Sequence, residues 1–156
     1  NNAVKDPTVG IIADTHGTLY PLALRALEGV DAIIHAGDVE VRAHLDRLAD
    51  IAPLTAVRGN MDRAVELAHL PTRGVLEIGA ASFYVIHILD GLDIDPATAR
   101  FQAVVFAHTH RPLIEQRNGV WFLNPGSASA PRGDSRHSVM HVQVTADGLV
   151  PELVEL

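Results

Sequence analysis

The first sixty residues alternate between unbroken apolar runs and segments whose apolar side chains have helical spacing. The unbroken runs are residues 8–14, 31–38 and 51–60. Runs of this kind are typical of strands buried on both faces of a sheet. Residues 18–29 and 40–50 predict amphipathic helices, and we expect Thr18 to cap the first helix and Gly29 to end it. This order predicts a parallel sheet with crossover helices.

In the second half, strand-like runs follow one another with little helix between them. We predict strands in residues 74–88 around a turn at Gly79, in 102–108, in a hairpin over 112–126 with Asn118-Gly119 at its tip, and in 136–145 and 149–156. A short helix is expected after Pro96. The class is therefore α/β with an antiparallel or mixed second half. No repeat or linker interrupts the chain, so residues 1–156 predict a single domain.

Composition narrows the class of protein. The chain is 47% hydrophobic and 20% charged, which is typical of a globular protein and not of a disordered one. No apolar run approaches the roughly 20 residues of a membrane span. The opening NNAVKDPTVG lacks the features of a secretory signal, and the absence of cysteine excludes disulfides and thiolate chemistry. We expect a cytoplasmic location and no membrane association.

Net charge and histidine content indicate which kinds of ligand to expect. The formal net charge is −7, and no run of Lys or Arg is present, so bulk nucleic-acid binding is not expected. The chain holds nine histidines. Because imidazole is a common metal ligand and general base, the positions of these residues matter.

Polar side chains with metal-binding chemistry follow five of the apolar runs. They are Asp14, His16, Asp38, Asn60, His87, His108 and His110. In open α/β sheets, ligands bind beyond the carboxyl ends of the strands. We therefore expect these seven side chains to form one site.

Oxygen and nitrogen ligands without sulfur suit ions such as Mn, Fe, Zn or Ni. Seven ligands are too many for one tetrahedral ion, but they suit two ions that share a carboxylate. Two ions roughly 3.5–4 Å apart can hold a bridging hydroxide and clamp both sides of an in-line phosphoryl displacement. They would also bring positive charge to an acidic protein, and a helix beginning near Thr18 would add its positive end.

Each motif also has an ordinary structural explanation when it is taken alone. An isolated His87 would be a hydrogen-bonded core histidine, and His-x-His is often only the polar end of a strand. Their joint occurrence in this order favours the two-metal interpretation. For the other histidines we predict structural positions: His35 buried, His44 on a solvated helix face, His69 in an irregular segment, and His137 and His141 structural or interfacial. Among Arg63, Arg111 and Arg132, we expect Arg111 to bind a substrate phosphate.

These motifs resemble those of a known family. Asp14-x-His16, Gly37-Asp38, Gly59-Asn60-x-Asp62, His87 and His108-x-His110 are similar to the five signatures of the calcineurin-like metallophosphoesterases. The likeness is greatest to the small single-domain phosphodiesterases of the YfcE type, and it includes the segment from Asn124 to Ser127. It covers residues 9 to about 145. The resemblance implies a four-layer αββα sandwich with two mixed β-sheets flanked by helices.

The resemblance also implies a role for each residue. Asp14, His16 and His110 would hold one metal, Asn60, His87 and His108 the other, and Asp38 would bridge them. Asp38, Asn60 and His108 would be catalytic, and Asn60 would also contact substrate phosphate. The implied activity is hydrolysis of a small phosphodiester by attack of a metal-bridging hydroxide. Manganese and a homodimer are implied as well, although the ligand set also accepts Zn, Fe, Ni or Mg.

Three positions depart from the family pattern. Ala107 and Ile88 stand where glycine is usual, so position 107 cannot require a backbone angle reserved for glycine. Met61 stands where many larger relatives have a histidine that acts as a general acid. Since Met cannot donate a proton, poor leaving groups should be cleaved slowly.

Two alternatives stay open at this point. The retromer subunit with the same fold is mainly a protein-interaction scaffold with an impaired metal site. The other alternative is a phosphomonoesterase or nucleotide pyrophosphohydrolase. Because all seven ligand positions hold competent residues, the sequence favours an enzyme.

Overall fold

The computed structural model describes residues 6–156. Residues 1–5, which form part of the segment examined for a secretory signal, lie outside the described residues. The elements in chain order are β1 (Thr8–Ile12), α1 (Pro21–Ala26), β2 (Ala32–His35), α2 (Arg42–Ala49), β3 (Leu54–Ala56), β4 (Arg73–Ile78), β5 (Ala81–Ile86), β6 (Ala103–Val105), β7 (Leu113–Arg117), β8 (Val120–Asn124), β9 (Ser138–Thr145) and β10 (Gly148–Glu155), with 3₁₀ turns at Val65–Leu67 and Leu89–Gly91.

Within residues 6–156, ten strands form two mixed sheets of five. The first sheet has the order β10-β9-β1-β2-β3, in which β1, β2 and β3 are parallel and β9 and β10 are antiparallel additions. The second has the order β4-β5-β6-β8-β7, with β5, β6 and β8 parallel and both edge strands antiparallel. Arg117 pairs with Val120, so Asn118-Gly119 forms the predicted two-residue hairpin turn. The predicted α/β class with two mixed sheets is confirmed.

The main core lies between the two sheets. Fully buried Ile11 and Ile34 from the first sheet face Phe83, Val105 and Leu123 from the second. The unbroken apolar runs seen in the sequence are needed because both faces of each central strand are covered. The orientation leaves the carboxyl ends of the parallel strands at one edge of the sandwich.

The outer faces are covered differently. Helices α1 and α2 cover the first sheet, where Leu27 and Leu48 pack against Ile12 and Ile33. Over the second sheet, Phe106 and Phe122 are covered by the turn Leu89–Gly91 and the irregular chain that follows it. Within residues 6–156, α1 and α2 are the only α-helices, and no helix is long and apolar enough to cross a membrane.

Some local predictions were wrong. Helix α1 begins at Pro21 with Tyr20 as its N-cap, because proline lacks an N–H and has a helical φ. Thr18 instead donates its N–H to the carbonyl of Thr15. With six residues, α1 has little macrodipole to offer an anion, so the predicted helix-end contribution loses its basis. The segment after Pro96 forms hydrogen-bonded turns, not a helix.

Candidate metal centre

The seven predicted side chains lie together at the carboxyl edge of the sandwich. The loops that carry them follow β1, β2, β3, β5 and β6. Each loop begins where an apolar strand ends, so the fold itself brings residues from distant parts of the chain to one place. The side chains form two adjacent clusters.

The first cluster consists of Asp14, His16 and His110. Nε2 of His16 lies 3.0 Å from Nε2 of His110. Oδ1 of Asp14 lies 3.9 Å from the His16 nitrogen and 3.7 Å from the His110 nitrogen. Three ligand atoms therefore point at one small volume, as a single metal ion requires.

The second cluster consists of Asp38, His87 and His108, with Asn60 among them. The amide oxygen of Asn60 lies 3.0 Å from Nε2 of His87 and 3.2 Å from Nδ1 of His108. The oxygen Oδ2 of Asp38 lies 3.1 Å from the same His87 nitrogen. The donor set is two imidazoles, one amide oxygen and one carboxylate.

Asp38 stands between the clusters. Its Oδ2 is 3.7 Å from Nε2 of His16 in the first cluster and 3.1 Å from Nε2 of His87 in the second. Its other oxygen, Oδ1, accepts the Met61 N–H at 2.8 Å. The carboxylate is therefore fixed in the orientation that a bridging ligand would need.

The ring orientation of three histidines is set by hydrogen bonds at Nδ1. His87 donates to the carbonyl of Ala36 at 2.7 Å, and His110 donates to that of Ala130 at 2.6 Å. His16 donates to the Glu40 carboxylate at 2.7 Å. In each neutral ring this leaves the Nε2 lone pair directed into the site, which is the usual arrangement of metal-ligating histidine.

A bound cation explains these contacts better than interactions among the protein atoms alone. When both rings are neutral, the lone pairs of His16 and His110 face each other across 3.0 Å. Oδ1 of Asp14 is buried and has no hydrogen-bond partner among residues 6–156. A buried acceptor without a partner is costly, and so is the approach of two acceptors. A divalent ion bound by these atoms would remove both costs.

Burial and neighbouring side chains shift the pKa values of four residues in the two clusters. Burial raises the pKa of Asp14 to about 6 in the metal-free protein. For Asp38, burial acts to raise the pKa, but hydrogen bonds from His87 and the Met61 N–H outweigh it and the net pKa is lowered. For His87, burial acts to lower the pKa, yet the hydrogen bond and charge of Asp38 prevail and raise it. Burial lowers the pKa of His110.

The backbone at this edge adopts an unusual conformation. Five of the seven site residues have positive φ: Asp14 (52°), His16 (46°), Asp38 (63°), His108 (75°) and His110 (60°). Residues other than glycine adopt this region at a cost, and such residues concentrate at functional sites. Ala107 does not adopt it. The chain around His108-x-His110 therefore turns at the histidines themselves, and a glycine at 107 is not required.

Two glycines allow the ligand loops to touch. A side chain at Gly59 would collide with the Asp38 carboxylate, and one at Gly37 would lie 2.6 Å from Nδ1 of His87. Gly37 also has φ +104°, which other residues rarely adopt. The Gly-Asp and Gly-Asn pairs of the sequence are thus explained by close packing between loops.

The Asp62 carboxylate joins two of these loops. It is buried and accepts the N–H groups of Asp38 at 2.9 Å, Gly59 at 2.8 Å and Glu40 at 2.7 Å. Three backbone donors on one carboxylate hold the loop after β2 against the loop after β3. Asp38 and Asn60 are therefore positioned by a residue that does not itself face the clusters.

The segment from Asn124 to Ala130 fastens the remaining loops. Asn124 donates to the Ala107 carbonyl at 3.3 Å and to the Thr109 hydroxyl at 3.2 Å. Ser127 donates to the Asp14 carbonyl at 2.7 Å, and the Ser129 hydroxyl lies within hydrogen-bonding distance of the Asp14 and Thr15 carbonyls. Hydrogen bonds of this kind offset the cost of the strained conformation at Asp14 and around His108.

The other histidines lie outside the clusters. His35 is fully buried, accepts the Gly37 N–H and bonds the Thr15 hydroxyl, so its predicted buried role is confirmed. Burial lowers its pKa to about 3. His137 and His141 bond main-chain carbonyls, and His69 is exposed. The solvated position predicted for His44 was wrong, because the residue lies one helical turn from buried Leu48 and is half-buried itself.

Sequence reasoning missed Glu40 and gave Asp62 and Ser129 no role. Residue 40 was placed at the start of a helix, but α2 begins at Arg42 and Glu40 has φ 64° in the preceding loop. No local pattern identifies a carboxylate that supports His16. Arg111 is exposed beside the loop around Gly133, next to the site that it was predicted to serve.

Comparison with known proteins agrees with the geometry. The family model described as the calcineurin-like phosphoesterase superfamily domain matches residues 8–147. The chain is 34% identical to the probable metallophosphoesterase MJ0623 of Methanocaldococcus jannaschii, covering 95% of this chain and 81% of that protein. It is 32% identical to the Escherichia coli K12 phosphodiesterase YfcE, covering 78% of this chain and 79% of YfcE.

Solved structures give the same result. The E. coli YfcE structure superposes with a TM-score of 0.69 at 26% identity, over 91% of this chain and 90% of that one. Vacuolar protein sorting 29 from Cryptosporidium parvum superposes with a TM-score of 0.76 at 20% identity, over 97% and 98%, a likeness that concerns the fold alone. Together with the family model, these matches show that the chain belongs to the calcineurin-like phosphoesterase superfamily.

Proposed function

We propose that this protein is a phosphodiesterase that depends on two divalent metal ions. The observation that carries the proposal is the position of Asp38, whose Oδ2 lies within 3.7 Å of a ligand nitrogen in each cluster. A carboxylate shared by two sets of N and O ligands is suited to a dinuclear centre. The similarity to YfcE, which is named a phosphodiesterase, supports the choice of reaction.

The proposed ligands follow the two clusters. Asp14, His16 and His110 hold one ion, Asn60, His87 and His108 hold the other, and Asp38 bridges them. When bound, such ions supply Lewis acidity and a water nucleophile that is active at neutral pH. We expect manganese, and the same donors accept Zn, Fe, Ni or Mg.

The protein's own groups orient the substrate. Asn60 is exposed at the mouth of the site and can donate its amide hydrogens to a non-bridging phosphate oxygen. His108 lies beside it, 3.2 Å from the Asn60 oxygen, and the exposed guanidinium of Arg111 is a further phosphate partner. Attack by the water oxygen breaks the bond from phosphorus to the leaving alcohol. Met61 cannot protonate the leaving alkoxide, so that proton must come from water or from another side chain.

Two alternatives predict different behaviour. A scaffold with a vestigial metal site does not need seven competent ligands, and here the carboxylates, amide and imidazoles all converge on two clusters. A phosphomonoesterase or nucleotide pyrophosphohydrolase would use the same centre on another substrate. Comparing rates on matched aryl mono- and diesters and on a nucleoside triphosphate separates these activities. The cytoplasmic location and the homodimer stay predictions.

The decisive test measures metal content and hydrolysis together. Metal-free protein is titrated with Mn²⁺, and hydrolysis of bis(4-nitrophenyl) phosphate is followed. We expect two equivalents of metal and metal-dependent hydrolysis in the wild type. Asp38→Ala should lose metal and lower the rate by about 10²-fold or more, because ligand removal exceeds the effect of losing an outer partner. Asp46→Ala, at an exposed position of α2, is the matched control. An Asp38→Ala protein with full metal content would refute the ligand assignment.

A further inference from the structure

A cleft opens from the Asn60 side of the metal centre. It has a volume of about 260 Å³, and Asn60 and His87 form part of its wall, so it is continuous with the second cluster. This is below the roughly 300–1,000 Å³ of sites for drug-sized ligands, so it suits a small group. A group bound there would be attached to a phosphate held at the metal centre.

The walls of the cleft combine apolar and cationic surface. Ile86 is buried and Ile88 is 37% exposed, and both contribute apolar contact. Arg58 and Arg73 line the same cleft and contribute positive charge. A short carbon chain that ends in an anion has the matching character.

The two arginines differ in what they can offer. Arg73 donates to the Gly91 carbonyl at 2.7 Å and lies 3.8 Å from the Asp93 carboxylate, so its guanidinium already has partners within the protein. Arg58 is exposed and forms no ion pair with any residue in the range 6–156. It also borders a second recess that includes Asn60 and Arg63. In a chain of net charge −7, Arg58 thus places a positive charge without an ion-pair partner among residues 6–156 in the wall of this cleft.

We propose that this cleft binds one ester arm of the phosphodiester, and that Arg58 selects arms that end in an anionic group, either a carboxylate or a second phosphate. The inference rests on the proposed function and specifies its substrate class. Ile86 and Ile88 contact the carbon chain, and Arg58 pairs with the terminal anion. A planar guanidinium can bind either anion through two parallel hydrogen bonds.

The test uses three diesters with the same 4-nitrophenyl leaving group and different second arms: propyl, 2-carboxyethyl and 2-phosphonoethyl. Manganese-loaded wild type should show kcat/KM about tenfold higher for the anionic arms than for propyl. In Arg58→Gln the ratio of anionic to propyl ester should fall toward one. Arg47→Gln, an exposed change on α2 with the same loss of charge, should keep the wild-type ratio.

Binding gives an independent measurement. Calorimetric titration with 2-carboxyethylphosphonate and propylphosphonate should show about tenfold tighter binding of the carboxylate in the wild type and equal binding in Arg58→Gln, with metal content unchanged. A preference for only one of the two anions supports the inference and identifies the anion. Equal rates on all three esters would overturn the inference while leaving the proposed function intact. No hydrolysis of any ester would overturn both.

Discussion

Oδ2 of Asp38 lies 3.1 Å from Nε2 of His87. Nδ1 of His87 already donates to the Ala36 carbonyl, so a hydrogen bond to Asp38 needs a second proton on the ring. Asp38 holds the His87 pKa above its usual value, and His87 in turn helps to lower that of Asp38. In the metal-free protein, each of these two groups therefore favours the charged form of the other, as in an ion pair.

This ion pair predicts that metal binding releases protons. A metal at Nε2 must displace the His87 proton, and Asp14, whose pKa is about 6, releases part of another. We expect net proton release on metal binding at pH 6.5, and apparent metal affinity that weakens as pH falls below 6. Calorimetry in two buffers of different ionisation enthalpy measures the number. His87→Gln should release fewer protons, and the exposed control His69→Gln should match the wild type. Binding without proton release would contradict the ion pair.

Removing the Asp62 carboxylate should loosen two ligands at once. Both oxygens of the Asp62 carboxylate accept backbone N–H groups. In Asp62→Asn, an NH₂ group replaces one of these oxygens and faces a backbone N–H, so that a donor meets a donor. We expect the free energy of unfolding to fall by about 1–3 kcal/mol and metal affinity to fall by about 10–100-fold. Urea unfolding and metal titration check these values, with Asp46→Asn as the control. Unchanged metal affinity would show that the loops keep their positions without this carboxylate.

Met61 predicts a strong dependence on the leaving group. Its side chain is 37% exposed and cannot donate a proton, while its N–H holds Asp38. Across a series of aryl diesters, the rate should fall steeply as the alcohol becomes a poorer leaving group. Met61→His should accelerate the poorest members by up to about 10²-fold and change the best little. Met61→Leu keeps the apolar character and serves as the comparison. A flat series in the wild type would reveal a proton donor elsewhere.

His35 predicts a loss of stability in acid. Its pKa is about 3 in the folded protein against 6.5 as its ordinary value. Between these values the unfolded chain binds a proton that the folded chain excludes, so the contribution of His35 to stability decreases as pH falls below 6.5. The contribution of His35 to the slope should be about 1.4 kcal/mol per pH unit in this window. Asp14, whose pKa burial raises from 3.8 to about 6, contributes with the opposite sign between those two values, so the effect of His35 is taken from the difference between wild type and variant. Urea unfolding of metal-free protein should show a shallower slope in His35→Asn and an unaltered one in His69→Asn. Equal slopes in all three proteins would exclude this role.

Much of the fold and most of the candidate site follow from local patterns. Unbroken apolar runs specify buried strands wherever they occur, and Asp14, Asp38 and His108 stand out because each interrupts such a run. The Asn118-Gly119 turn is similarly local, since the backbone angles that it needs favour those residue types. These features depend on neighbours within a few positions.

What could not be predicted depends on contacts between distant segments. Glu40 reaches His16 across 24 positions, and Ser129 reaches Asp14 across 115. Nothing near residue 40 or 129 in the sequence records that distance. The start of α1 was misplaced for a different reason, because Thr18 and Pro21 are both acceptable helix starts and the competing turn at Thr15 decided between them.

The left-handed backbone at five of the seven site residues has a consequence for evolution. A conformation that costs energy at Asp14 or His108 is relieved when glycine replaces the residue, so loss of a ligand can make the fold more stable. Selection for stability alone would therefore replace these proposed ligands before it replaced the apolar residues of the strands. The proposed metal centre supplies the demand that would keep all seven side chains in place. A lineage freed from that demand would keep the sandwich and lose the centre.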